Sequence, residues 1–387
     1  MSAEDSAKAI ARFRSYLELD PTNPRLWINL GDLHHRSGNW SEAAECYQSC
    51  LRQEPDHPIA RSRLAEVMIS RHQFADAEAL LSPLVQAATK PEPALLHNFG
   101  LALFHQRRFA EAENAFSAAQ RAGLQSPQMT GYLVKALHQQ GKTGPARELA
   151  ALWAKMEPTE AVEGYRCLLD FDHGDFNLAH VRAKALLARN PDNPDAATII
   201  AHGLLQDGDV AGADALFAKV ERCEPDNTRA LVGRSLVAIR GEQHEKAREI
   251  LERAYALMPD NFGTLVILGW TRIAVNDAAG AEQYFRRALE LNRAFSETHG
   301  GLAAAFALQG RRDEARREMK LAERLGGSFG AGYADSILTG LDQGQAAGSE
   351  RFRQRLAELP AQVRFPLQRE IERMLTRPPA APSDPNA

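Results

Sequence analysis

Asn23 to Asp56 reads NPRLWINLGDLHHRSGNWSEAAECYQSCLRQEPD, and these 34 residues hold two helical patterns separated by a chain reversal. Leu26, Trp27, Leu30 and Leu33 recur at the three- and four-residue spacing of one helix face, not the alternation of a strand. Gly38 ends that helix, because glycine adopts without cost the left-handed backbone needed just past a helix terminus. Ala43, Ala44, Tyr47, Cys50 and Leu51 mark the facing side of a second helix. Pro55 closes it, since its ring clashes with the carbonyl four residues back and its nitrogen has no hydrogen to donate. Asn23 is placed to cap the first helix, with Pro24 in the first helical position, where proline is tolerated.

The pattern recurs along the chain. Pro21 and Pro55 lie 34 residues apart; Pro158, Pro191, Pro225 and Pro259 follow at intervals of 33, 34 and 34. The gap of 103 residues between Pro55 and Pro158 is close to three more periods. Asn193 and Pro194 repeat the capping pair, and Gly141, Gly174, Gly208 and Gly310 repeat the register of Gly38. Alanine recurs as Ala43, Ala77, Ala112, Ala146, Ala179, Ala213, Ala247, Ala281 and Ala315. A small residue there lets paired helices approach closely, and a larger one overpacks the contact. Nine full repeats start near 24, 58, 93, 127, 160, 194, 228, 262 and 296, preceded by a lone second helix with Ala9, Phe13, Tyr16 and Pro21 in register.

These residues resemble the tetratricopeptide repeat (TPR), which reads Trp-x2-Leu-Gly-x2-Tyr, then Ala-x3-Phe, then Pro. Repeat one matches with Trp27, Leu30, Gly31, Ala43, Tyr47 and Pro55, His34 standing in the Tyr position. Repeat three offers Phe99, Gly100, Ala112 and Phe116; repeat six Ala213, Phe217 and Pro225; repeat eight Leu268, Gly269, Ala281 and Phe285. The resemblance implies an all-α solenoid of helical hairpins wound into a right-handed superhelix. The expected organisation is a lone helix over 1–23, nine repeats over 24–329, a degenerate repeat or capping helices over 330–377 and a disordered tail over 378–387. Ala331–Leu341, Glu350–Leu359 and Arg364–Arg377 are the helical stretches of that third segment. Repeat five departs from the pattern, with Glu163, Arg166, Cys167 and Asp170 where Trp, Leu, Gly and Tyr are usual, so its first helix is shifted or the array is interrupted there.

Composition narrows the function classes. The 387 residues are 44% hydrophobic and 25% charged, with a net charge of −4, which argues against a dedicated nucleic-acid binder. No stretch reaches the ~18 apolar residues of a membrane span, and Met1 to Asp20 has no apolar signal core. Cys46, Cys50, Cys167 and Cys223 make no disulfide framework and fit a reducing, cytoplasmic compartment. Lys occurs 9 times against 37 Arg, the usage of a GC-rich, bacterial genome.

The resemblance further implies that positions 2, 5, 6, 9, 12 and 13 of each repeat line a concave groove. In repeats one and two these include Arg25, Ile28, Asn29, Asp32, Ile59, Arg63 and Glu66. Repeats three and four give His97, Asn98, Leu101, Phe104, His105, Tyr132 and Lys135. Repeats six to eight give Ile199, His202, Leu236, Ile239, Ile267 and Trp270, a strongly apolar run. Exposed apolar surface marks an interaction site, so Trp270 is expected as a docking anchor with little role in stability. The competing reading is that the chain's own C-terminal helices, or a second copy, close the groove. The carboxylate clamp of chaperone-binding TPR domains is not matched, its positions holding Ile28, Asp32, Arg63, Ala94 and Asn98. Nor is an asparagine ladder, since only Asn29 and Asn98 fall in its register.

No catalytic motif is present: there is no His-Glu-x-x-His, Cys-x-x-Cys, phosphate loop or Gly-x-Ser-x-Gly. Asp170-Phe171-Asp172-His173-Gly174-Asp175 groups three carboxylates at a turn, but turns favour Asp for backbone reasons, so no metal is assigned. Cys46 and Cys50 read as packing residues, and Arg351 to Arg377 as a solvated basic helix face. The expectation is a non-catalytic scaffold binding a protein or peptide, without cofactor, nucleic acid or membrane insertion. The alternatives are an accessory subunit of an enzyme such as a glycosyltransferase acting in trans, and a self-assembling homo-oligomer.

Overall fold

Each Asn-Pro pair starts a helix for a reason visible in its hydrogen bonds. The Asn23 side chain accepts from the Arg25 amide and the Asn193 side chain from the Ala196 amide, with Pro24 and Pro194 in the first turn. In a computed structural model, which describes residues 3–327 and 329–342, every regular element among the described residues is an α-helix. The chain divides into two compact bodies, Met1–Glu157 and Pro158–Ala387.

In the N-terminal body, α1 (Ala3–Leu19) stands alone. Hairpins follow: α2 (Pro24–Arg36) with α3 (Trp40–Gln53), α4 (Pro58–Ser70) with α5 (Phe74–Ala87), α6 (Pro93–His105) with α7 (Phe109–Arg121), and α8 (Pro127–Gln139) with α9 (Thr143–Met156). The C-terminal body continues with α10 (Glu160–His173) and α11 (Phe176–Leu187), α12 (Pro194–Asp207) and α13 (Val210–Cys223), then α14 (Thr228–Arg240) and α15 (His244–Leu257). It ends with α16 (Phe262–Ala274) and α17 (Ala278–Leu291), α18 (Ser296–Leu308) and α19 (Arg312–Arg324), and α20 (Phe329–Asp342). The helices expected over 350–359 and 364–377, and the tail from 378, lie outside the described residues.

Within each hairpin the two helices meet at small residues. All nine repeat alanines from Ala43 to Ala315 are fully buried. A Cβ added to Gly31, Gly100 or Gly269 would come within 2.6, 2.6 and 2.5 Å of Tyr47, Phe116 and Phe285 respectively. These are closer than carbon atoms can approach, so the ring takes the space the glycine leaves.

Neighbouring repeats are joined by a second device. Gln140 donates to Glu113 Oε2 at 2.7 Å and to the Phe109 carbonyl at 3.2 Å, and Lys142 Nζ reaches the same carboxylate at 2.7 Å. Gln106 and Arg108 hold Glu78 in the same way, and Gln309 and Arg311 hold Glu282. In each case a glutamine and a cation two residues on bind a glutamate of the preceding repeat. The second bond, to a first-turn carbonyl, fixes the glutamine side chain against the preceding repeat.

The reversal inside each repeat uses one left-handed residue. It is Gly38, Gly141, Gly174, Gly208 and Gly310 in five repeats, but His72 (φ 59°), Arg107 (63°), Glu242 (56°) and Asn276 (65°) in the others.

Candidate protein-binding face

Each first helix of the N-terminal body presents a stripe at i, i+4, i+7 and i+11, the spacing of one helix face. On α2 the stripe is Arg25, Asn29, Asp32 and Arg36, of which Arg25, Asn29 and Arg36 are exposed. A polar ladder links the stripes. Tyr47 donates to Asp32 Oδ1 at 2.7 Å, and Arg63 on α4 faces Asp32 at 3.5 Å and Glu66 at 3.0 Å. Asn98 on α6 donates to Glu66 Oε1 at 3.4 Å. Burial first, and then this bond to Asp32, hold the Tyr47 hydroxyl well above the usual phenol range, so it stays a donor.

Beyond Asn98 the face becomes aromatic. Phe104 meets Tyr132 edge-on with centroids 5.2 Å apart, and His105 stacks flat on Phe74 at 4.3 Å with 8° between the planes. Lys135 Nζ stands 5.8 Å from the Tyr132 ring centroid. Phe104 and Tyr132 stay half-buried, whereas Leu101 beneath them is buried. Burial pushes the His97 and His105 imidazoles below the usual histidine range, with His72 and Lys135 adding to the effect on His105.

The large apolar residues on the corresponding stripes of the C-terminal body are mostly buried, which corrects the expectation of an apolar docking surface there. Ile199, Leu236, Ile267 and Trp270 are 1%, 2%, 1% and 4% exposed. Trp270 lies against Phe285, centroids 5.6 Å apart, and against Tyr333 of α20 at 6.2 Å. It is therefore a core residue, and Ile239, partly buried, packs on the same cluster. His202 is held between Phe171 and Phe217, at 5.5 and 5.0 Å. Burial, with Arg229 and His180 nearby, pushes its imidazole down to about 4 despite Asp172.

Around Trp270 the physical reason is that α20 closes over the first-helix face. At the end of the array a Cβ on Gly300 of α18 would come within 2.7 Å of Gly330 Cα on α20. The first turn of α20 is fixed by a buried bond from the Gly330 amide to Glu297. Its last residue, Asp342, is held by Arg312 at 2.6 Å.

The carboxylates of repeat five are engaged within the protein. Asp170 and Asp172 are both helical on α10; Arg182 binds Asp170 at 2.6 Å and Arg229 binds Asp172 through both nitrogens. Gly174 alone of that run takes the left-handed turn. Cys46 and Cys50 are buried, and burial raises both thiols, Cys46 to about 11.

The shelf residues that sequence reasoning missed are Phe74 and Phe109, at the starts of second helices. Phe109 meets Phe104 at 5.4 Å. Their signal was an aromatic at one repeat register, Trp40, Phe74, Phe109 and Phe176, each touching a ring at the end of a first helix.

Comparison with known families agrees with this geometry. Two family models, both described as tetratricopeptide repeat, match residues 1–48 and 36–98, and residues 97–161 and 200–262. The chain belongs to the tetratricopeptide-repeat family. This TPR protein is similar in structure to the Cut9–Hcn1 hetero-tetramer of APC/C, at 12% identity over 83% of this chain and 76% of that one, TM-score 0.44. It is also similar to MamA (41-end) from Desulfovibrio magneticus RS-1, at 17% identity over 40% of this chain and 86% of that one, TM-score 0.37. No curated protein matches the TPR chain. Among its described residues no helix is long and apolar enough to cross a membrane.

Proposed function

We propose that this TPR protein is a non-catalytic scaffold that binds a segment of a partner protein on the first-helix face of repeats one to four. One contrast carries the reading. The stripes of α2, α4, α6 and α8 remain largely accessible and pair a polar ladder with half-exposed rings, whereas the equivalent stripes of α16 and α18 are spent on the core. Aromatic and arginine side chains with satisfied polar neighbours are the residues on which interfaces concentrate binding energy.

Selection from a random displayed peptide library on the full chain tests this. Peptides that bind the native protein and lose binding to the double variant Asn29→Ala with Arg63→Ala support it. Selected peptides indifferent to that variant, or none at all, contradict it. Size-exclusion chromatography over a concentration range separates partner binding from self-association.

A further inference from the structure

We propose that the first-helix face of the N-terminal body takes an extended acidic peptide segment carrying one large apolar side chain; this rests on the reading that the face binds a partner. The stripes of α2, α4, α6 and α8 carry Arg25, Arg36, Arg63 and Lys135 against only Asp32 and Glu66, in a chain whose net charge is −4. The face is therefore opposite in sign to the molecule that bears it. Its two carboxylates are already engaged: Asp32 takes the Tyr47 hydroxyl and Arg63, and Glu66 takes Arg63 and Asn98. Arg25 and Arg36 are exposed at the two ends of the α2 stripe, and neither makes an ion pair among the described residues.

Charges so arranged favour a complementary ligand and reject a like-charged one. The apolar requirement comes from the shelf. Phe104 and Tyr132 form an edge-to-face pair on neighbouring helices, both half-exposed. One leucine-sized side chain seated there would exclude water from the exposed edges of both rings. Aromatic rings beside arginines also suit single-stranded nucleic acid, and an oligothymidine probe separates that ligand from a peptide.

The test is fluorescence anisotropy with the full chain and four labelled probes. These are a decapeptide of Asp and Glu with one central Leu, the same peptide with Lys replacing the acids, the same with Ala replacing Leu, and a ten-residue oligothymidine. The acidic Leu peptide is expected to bind about tenfold or more tighter than the Lys peptide and the oligothymidine. It should weaken about threefold or more when Leu becomes Ala, and weaken again as salt rises from about 0.05 to 0.3 M. Arg25→Glu with Arg36→Glu, both on the surface, should weaken it about tenfold at an unchanged melting temperature. Equal or tighter binding of the Lys peptide or the oligothymidine overturns the proposal, as does undiminished binding to the charge-reversed variant or no binding of the acidic peptide. Selected library peptides that depend on the face but are not acidic would overturn this proposal alone; an absence of face-dependent peptides would overturn the parent reading as well.

Discussion

Arg229 of α14 closes a two-pronged pair with Asp172 of α10, Nη1 to Oδ1 at 2.9 Å, although 57 residues separate them. The pair spans an entire repeat, so the first helices on either side of α12 are tied to each other as well as to α12. Asp172 retains 12% of its side-chain exposure and Arg229 39%. Removing one partner of a fully buried pair costs about 3–5 kcal/mol, and the arginine's exposure reduces that here. Asp172→Ala should destabilise the chain by about 1–2 kcal/mol in denaturant unfolding, and Asp172→Glu by less.

Trp270 offers a sharper test of which faces are closed. Truncating a buried tryptophan leaves a large cavity, and Trp270→Ala should cost about 3–5 kcal/mol. Asn29→Ala, at an exposed position of the equivalent face of repeat one, should stay within about 0.5 kcal/mol of wild type. Similar melting-temperature shifts for the two would mean that the faces are equally open.

Two histidines set opposite pH limits. Both ring nitrogens of His299 face acceptors, Glu318 Oε2 at 2.7 Å and the Arg293 carbonyl at 2.9 Å, a pair of bonds that only the imidazolium donates in full. Burial opposes that charge, but the bond to Glu318 and then the Arg293 carbonyl outweigh it and raise the group above its usual value. Its contribution is complete below the ordinary histidine range near 6.5 and is lost as pH rises through the higher folded value. His202 is depressed, so its contribution is present above about 6.5 and is lost as pH falls towards about 4. Stability measured against pH should peak near neutrality. His299→Gln should flatten the alkaline limb, and His202→Asn the acidic one.

Glu242 occupies the left-handed position that glycine fills in five other repeats. Relief of the ~1–2 kcal/mol strain is partly offset by glycine's freedom in the unfolded chain. Glu242→Gly should therefore stabilise by about 0.5–1 kcal/mol in thermal unfolding. Asn276→Gly should gain less, because asparagine tolerates this conformation.

The all-α class was legible because glycine, proline and alanine recur at fixed register, and each acts through local sterics that need no tertiary information. Repeat five shows how far this extends: its helix forms although Cys167 and Asp170 replace Gly and Tyr, since Arg182 neutralises the buried Asp170 carboxylate. It was the family resemblance, not helix periodicity, that put Asp32, Arg63 and Asn98 on one stripe, where Arg63 meets Asp32 and Asn98 bonds Glu66. The place of Trp270 was not legible, because its burial depends on Tyr333, 63 residues onward, and on a close contact between Gly300 and Gly330. Repeat spacing places a side chain on a face but does not report how tightly the next helices close over it.

Hydrogen–deuterium exchange of the full chain, with and without the tightest face-dependent peptide from the library, tests the central claim most directly. The account predicts new protection in α2, α4, α6 and α8, with α16 and α18 unchanged. Protection confined to second helices, or to α16, α18 and α20, would contradict it.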